Sequence, residues 1–353
     1  MRGCCRDMTA ARDRELRTGL RYLNGEAVNF FLSLVFLTVL AASGAEAQQW
    51  KPPRAVELVV GSGAGSSSDR QARVVQKYLQ TVPGISGIVI NNRPGGGGSL
   101  AYTYLAQHPG EGHYLVTMAT SLLTNQITGV SQVGYQDLTP LNILVREYVS
   151  AWVRNESALA SAKDLVALLR KNAGAVTFGF STARGNQNHI VIGMIAKAAG
   201  VDPKALKIVV YSSGGQGMIA AIGGHVEVWV GTAGGAQQHL QNGTIRVLGL
   251  SSPQRQAGPL AAVPTFREQG IATEYYAWRG FAGPRGLTAA QLSFWDQAFA
   301  KVVEAEEWKK ELEDNAWGAG FAGAAETRKH LDAEYQLLRS MLMDLGVVAS
   351  KEK

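Results

Sequence analysis

Four polar, glycine-rich turns hold most of the groups in this chain that are suited to chemistry. The first is Gly61-Ser62-Gly63-Ala64-Gly65-Ser66-Ser67-Ser68-Asp69 and the second is Asn92-Arg93-Pro94-Gly95-Gly96-Gly97-Gly98-Ser99. The third is Phe180-Ser181-Thr182-Ala183-Arg184-Gly185-Asn186-Gln187-Asn188 and the fourth is Tyr211-Ser212-Ser213-Gly214-Gly215-Gln216. A turn of this kind ahead of a helix exposes unpaired backbone N–H groups at the positive end of the helix dipole, which suits an anion. Glycine permits the φ > 0 turn and lets a ligand approach the backbone. Any one turn could equally be an ordinary connection that binds nothing. Four of them at the carboxyl ends of strands, where open parallel sheets bind ligands, say more than one does. Two from each of two lobes would face each other across a cleft. Neutral donors suffice for a carboxylate there, since each charge-assisted hydrogen bond contributes roughly 1.5–3 kcal/mol. A micromolar complex needs only about −8 kcal/mol net.

The same residues do not assemble into an enzyme. Gly61–Gly65 offers G-x-G-x-G without the later glycine of a dinucleotide fingerprint, and no acidic residue clearly ends the next strand. There is no G-x-x-x-x-G-K-[ST] loop and no G-x-S-x-G elbow at any of these turns. The six histidines, at 108, 113, 189, 225, 239 and 330, are scattered and make no metal-ligand spacing. No nucleophile–base pair is evident. Net charge is +6, but Lys and Arg form no stripe with aromatics between them, so nothing points to nucleic acid. A mild positive charge assists an anionic ligand and is also common background.

The turns are carried by short β-branched runs that alternate with helix-period segments. Strands are expected at Val56–Val60, Gly87–Asn91, Tyr114–Met118, Val176–Gly179, Lys207–Val210, Val226–Val230 and Ile245–Leu250. They are apolar on both faces, as strands covered by helices on both sides must be. Ser68 with Gln71, Ser161 with Asp164, and Thr288 with Gln291 each read as a helix start. A last helix, about 326–345, places Leu331, Tyr335, Leu338, Leu342 and Leu345 on one stripe. This alternation predicts an α/β fold built on parallel sheets. The chain crosses to a second lobe near 144–153 and returns near 273–281. Residues 48–150 and 277–353 then form a discontinuous first lobe, and 151–276 a second lobe inserted in it.

Residues 1–47 read as a leader rather than fold. The 13-residue apolar run Phe30–Ala42, followed by Ala45-Glu46-Ala47, has the form of a secretory signal peptide with an A-x-A cleavage site. The run is short of the roughly 20 residues a membrane span needs. Both cysteines, Cys4 and Cys5, fall in this leader, so the exported chain is expected to have no thiol and no disulfide. A chain of this length buries enough apolar surface without such staples.

At these turns and beyond, the sequence resembles the tripartite tricarboxylate transporter substrate-binding family, often called Bug receptors. The likeness runs over Trp50–Leu345 and rests on an ordered set of segments. These are Val59–Arg73 (VVGSGAGSSSDRQAR), Asn92–Gly98 (NRPGGGG), Val176–Gly179, Val210-Tyr211, Gly223–Val228 (GGHVEV), Asn242–Leu250 (NGTIRVLGL) and Val263–Gly270 (VPTFREQG). The resemblance implies a two-lobed periplasmic-binding-protein fold of the Venus-flytrap type, each lobe a mostly parallel sheet flanked by helices. It also implies a monomer in the periplasm with no cofactor or metal, which delivers a small carboxylate to a two-component membrane permease. A sensing component that feeds a signalling receptor would use the same binding chemistry.

Carried over by position, the resemblance assigns the carboxylate grip to the backbone around Gly65, Ser66, Ser67 and Ser68, with Asp69 ordering the turn. Thr120 and Ser121 line the same lobe; Ser181, Thr182 and Asn186 answer from the other. Tyr211, Ser212 and Ser213 join them, and Gly231 and Thr232 complete the floor. The departures from the family pattern are specific. Ser62 begins the stretch where the family has an aromatic followed by Ala-Pro-Gly-Gly, and Ser212-Ser213 replaces Lys-Gly. Arg184 replaces a small residue, which offers a direct partner for a second carboxylate unless it points to solvent. Trp278 and Arg279, beside the return crossover, are candidates for hinge or cleft.

Overall fold

The computed structural model describes residues 50–181 and 184–348 of the chain. The leader proposed for 1–47 and the site candidate Thr182 lie outside the described residues. The strands are β1 (Val56–Val60), β2 (Ile88–Asn92), β3 (Tyr114–Ala119), β4 (Leu138–Arg154), β5 (Thr177–Ser181), β6 (Lys207–Tyr211), β7 (Val228–Thr232), β8 (Ile245–Leu250), β9 (Tyr276–Pro284) and β10 (Trp317–Ala322). The helices are α1 (Ser67–Leu79), α2 (Ser99–Ala106), α3 (Ser121–Ile127), α4 (Ala162–Lys171), α5 (Gln187–Ala198), α6 (Gly214–Ile222), α7 (Ala233–Gln241), α8 (Ala289–Glu304), α9 (Glu306–Asp314) and α10 (Ala324–Asp344).

All seven β-branched runs are strands, within two residues of the ranges read from sequence. Two parallel triplets, β2-β1-β3 and β7-β5-β6, carry the glycine-rich turns at their carboxyl ends. Between them run β9 and β4, the segments expected to be crossover connections. Both are strands, and both pair antiparallel: β9 with β3 and β4, and β4 with β7, β8 and β10. The sheets are therefore mixed rather than mostly parallel, because the chain passes out along β4 and back along β9 in opposite directions. The early part of β4 pairs with β9 and β10, and its last residues, Val149–Arg154, pair with β7 and β8. One strand thus belongs to both halves. Nearly all of it is buried, with only Arg146 and Arg154 exposed, so it has no alternating pattern to reveal it.

The cap residues account for where most helices begin. Ser161 and Asp164 close the expected reciprocal capping box on α4, as do Thr288 and Gln291 on α8. At α1 the expectation fails. Ser66, not Ser68, caps the helix, its Oγ accepting from the Asp69 N–H at 3.2 Å, and Gln71 is buried inside the second turn. Three consecutive serines make the start ambiguous in sequence, and the acid at position 69 decides it by reaching back to the Gly65 N–H.

Phe281 fixes β9 against α8, its ring stacked on Phe299 at 5.2 Å beside Trp295, while Trp278 is buried on the other face toward α10. Each such side chain contributes roughly 2–3 kcal/mol of transfer free energy. Leu331, Leu338 and Leu342 form the fully buried part of the expected stripe on α10, which packs on β4, α3 and α5. Within this frame the first two turns touch. A Cβ added at Gly61 would come 2.9 Å from the Gly98 Cα, so only glycine lets them lie this close.

Candidate functional site

Ser62, Ser66, Ser67, Ser68, Thr120, Ser121, Arg184 and Asn186, all expected at the site, line one cavity of about 560 Å3. Other residues complete it, among them the hinge-or-cleft candidates Trp278 and Arg279. Gly96–Gly98 come from the second turn, Tyr102 from α2, Thr117 from β3, Asn125 from α3, and Trp278 and Arg279 from β9. The lining contains hydroxyls, amides and two arginines, and no carboxylate. Among the described residues no helix is long and apolar enough to cross a membrane, and no cluster of His, Cys, Asp or Glu suits a metal.

The first turn is braced from behind by Asp69, which is 1% exposed. Its carboxylate accepts from the Gly65 N–H at 2.8 Å, from Asn92 Nδ2 at 2.9 Å and from Arg73 Nε at 2.9 Å. Burial pushes the Asp69 pKa up, but the bonds from Arg73, Asn92 and Gly65 outweigh it and hold it at about 2. Asp69 is ionised at any ordinary pH and faces its braces rather than the cavity. With the N3 amide capped by Ser66, the N–H groups of Ser67 and Ser68 have no partner among the described residues. Those two amides at the start of a 13-residue helix are the anion-seeking groups of this wall.

Thr120 begins α3 on the same side, its Oγ1 accepting from the Trp278 N–H at 3.4 Å. Trp278 is itself held by a hydrogen bond from Nε1 to the buried Glu334 of α10. Arg279, the next residue, donates from Nη1 to Ser68 Oγ at 2.9 Å and from Nη2 to Glu147 Oε2 at 2.6 Å. Arg93 is structural: its guanidinium stacks 3.6 Å above the Tyr104 ring, and its backbone N–H donates to the Val60 carbonyl.

The opposite wall is the turn before α5. Asn186 caps the helix by accepting from the Asn188 and His189 N–H groups, each at 3.1 Å, and Arg184 is exposed at the cavity rim. Gly185 packs against α10 and lies close to Thr128, another lining residue of the first wall. His189 is 1% exposed and accepts the Gly185 N–H at Nδ1, 3.0 Å away. Burial, and secondarily the Arg184 charge, lowers the His189 pKa to about 4. The ring is neutral, with its proton on Nε2.

Other candidates lie off the cavity wall. Ser181 ends β5 beside Gly214. Tyr211 packs against Trp229. Ser213 caps α6 by accepting from the Gln216 N–H at 3.2 Å, and Ser212 donates to Gln216 Oε1 at 2.6 Å. Thr232 caps α7, accepting from the Gly235 N–H at 3.4 Å, and the Gly231 carbonyl accepts from Ser150. Gly65 and Asp69 shape the first turn without lining the cavity. The fourth turn, Gly231 and Thr232 do not line this cavity, and their hydroxyls and carbonyls are used in local capping. A second concavity, about 590 Å3 and slightly larger, lies along β1 and β2. Its polar groups are already matched, Asn91 to Glu57 at 2.7 Å and Arg54 to His113 at 2.8 Å, and only Asn92 of the glycine-rich turns reaches it.

Comparison with known proteins places these features in a family context. Residues 71–346 match the model of the tripartite tricarboxylate transporter family receptor. BugT of Bordetella pertussis is 24% identical over 258 residues, 71% of this chain and 77% of that protein. A solved TctC solute-binding protein from Polaromonas, without ligand, superposes with a TM-score of 0.71 at 21% identity, covering 83% of this chain and 99% of that one. An R. palustris protein solved with adipate gives a TM-score of 0.71 at 23% identity, over 84% and 98% of the two chains. At these identities the structural likeness speaks for the α/β two-lobed periplasmic-binding-protein fold.

Proposed function

The chain belongs to the tripartite tricarboxylate transporter receptor family, and from that membership we propose that it is an exported receptor for a small carboxylate. It captures the acid in the periplasm as a monomer and delivers it, unreacted, to a two-component membrane permease. The lobes assigned to this task are 48–150 with 277–353, and 151–276. The observation that carries the reading is the chemistry of the cavity wall: free amides at Ser67 and Ser68, hydroxyls, Arg184 and Arg279, and no carboxylate. Such a wall favours an anion and gives it no acid–base pair to react with. The adipate held by the R. palustris relative has the same carboxylate chemistry. Arg184, at the rim opposite α1, is the residue we assign to a second carboxylate on the ligand.

The test is a thermal-shift screen of the chain from Gln48 onward against adipate, malate, citrate and benzoate. A binder at about 100 times its Kd adds about 2.7 kcal/mol, a rise in Tm of roughly 5 °C. Absence of a shift with every acid, or hydrolysis of a carboxylate ester by the purified protein, overturns the proposal. With a dicarboxylate that binds, Arg184→Ala is expected to weaken affinity about tenfold, and unchanged affinity removes Arg184 from the site.

A further inference from the structure

Arg279 is the one charged side chain that reaches the cavity from the strands joining the two halves. Its side chain is 14% exposed and that of its partner Glu147 is 6% exposed. A guanidinium has five N–H donors. Here one donates to Glu147 and one to Ser68, and Nε is enclosed with no partner. A buried ion pair kept only to fasten β9 to β4 would be expected to have its donors saturated, because each unmet one carries a desolvation penalty. This one keeps an enclosed Nε without a partner, and the residue itself lines the cavity.

The bond to Ser68 has a second consequence. Ser68 Oγ accepts from Arg279, so the hydroxyl proton is left to donate elsewhere. Ser68 is also one of the two residues whose backbone N–H is free at the start of α1. A fixed chain therefore runs from Glu147 through Arg279 to Ser68. It brings a positive charge, a hydroxyl and two amides to one wall of the cavity.

We infer that Arg279 supplies the formal charge that neutralises the ligand carboxylate bound at the start of α1, and that Glu147 is a positioning residue holding the guanidinium there. This rests on the carboxylate reading above and sharpens it. The grip is an ion pair reinforced by amides, not a set of neutral donors alone. It also separates two tasks: Arg279 takes the carboxylate the receptor requires, and Arg184 at the rim takes whatever lies at the other end.

The experiment compares wild type, Arg279→Gln, Glu147→Gln and the double variant Glu147→Gln/Arg279→Met. The probe is whichever of adipate, malate, citrate and benzoate gives the wild type its largest thermal shift, followed by calorimetric titration. Arg279→Gln is expected to raise Kd about 10- to 100-fold. Glu147→Gln leaves the guanidinium charged but offers it only an amide oxygen, so Kd is expected to rise about threefold, well short of the loss in Arg279→Gln. A pair that serves only as scaffold predicts equal losses for the two single variants, and that result overturns the inference. The double variant removes both charges at similar volume and so keeps a test available if a single variant fails to fold. Wild-type affinity in the double variant also overturns the inference, while a loss matching Arg279→Gln supports it. If no acid in the set shifts the wild type, the carboxylate reading itself fails and this inference goes with it. If wild type and Arg279→Gln bind alike, only this inference fails.

Discussion

The turns that open α1 and α5 share a backbone design and differ in the group that holds it. Each has a glycine with positive φ, Gly65 at 78° and Gly185 at 87°, followed by the capping residue, Ser66 or Asn186. Four residues after each glycine a buried side chain turns back to accept the glycine N–H: Asp69 at 2.8 Å and His189 at 3.0 Å. The first acceptor is a carboxylate tied also to Arg73 and Asn92; the second is a neutral ring stacked on Phe180 at 5.2 Å. A carboxylate fits the first turn because Arg73 cancels its charge behind the anion-binding amides. Imidazole fits the second, where it shapes the backbone without drawing Arg184 away from the rim. The same geometry thus has different electrostatic consequences on the two walls.

Removing the ionic brace should have the largest effect. Asp69→Ala leaves the Gly65 N–H, Asn92 Nδ2 and the Arg73 guanidinium without their shared acceptor. Loss of a buried, multiply bonded carboxylate costs about 4 kcal/mol, discounted here only for the half-exposed Arg73. Urea unfolding measures it. A loss under about 1 kcal/mol would mean that the turn holds its shape without the acid. By contrast Ser213→Ala, in the chemically similar fourth turn, removes one cap and should cost about 1 kcal/mol.

Acid separates the two braces next. The His189 pKa falls from 6.5 in the unfolded chain to about 4 in the folded one, so between those values the unfolded state binds the extra proton. Stability contributed by the neutral ring is complete above pH 6.5 and is lost as pH falls toward 4, on the order of 3 kcal/mol in all. Asp69 runs lower: its contribution is full above its unfolded value of 3.8 and is lost only as pH falls through about 2. Unfolding free energies at pH 7 and 4.5 for wild type and His189→Gln isolate the effect. Equal pH dependence in both proteins would remove His189 as its source.

The parts of this fold that the sequence discloses are those whose cause is local. The β-branched runs, the capping boxes at Ser161 and Thr288, and the glycine-rich turns themselves all depend on neighbours a few residues away. In sequence β4 and β9 pass for connections, because a strand with sheet neighbours and covered faces shows neither alternation nor turn signals. In the sequence Arg279 stands out as a candidate for hinge or cleft beside the return crossover, with no sign of which. Its place on the cavity wall depends on Glu147, 132 residues distant, and Ser68, 211 residues distant. The fourth turn shows the reverse case. Its serines and glycines match those of the first turn in type, but no remote side chain carries them to the cavity. The shared glycine-to-acceptor spacing of the two braces was present in the sequence as Gly65–Asp69 and Gly185–His189. It was obscured because one acceptor is an acid and the other a ring.

The finest distinction between the two turns lies at the glycines themselves. An alanine in the left-handed region costs roughly 1 kcal/mol relative to glycine, and both positions incur that cost. At Gly65 nothing else stands within 4 Å of the added methyl, so Gly65→Ala should lose only that amount. At Gly185 the methyl would also meet Leu342 Cδ2 of α10 at 3.1 Å, with Val347 and Thr128 behind it. Gly185→Ala should therefore lose about 2 kcal/mol, the excess arising from crowding against the C-terminal helix. Truncating the obstacle tests the cause: in a Leu342→Ala background the two glycine substitutions should become equal within about 0.5 kcal/mol. If the difference persists in that background, the second turn is constrained by its own backbone and not by its seat on α10.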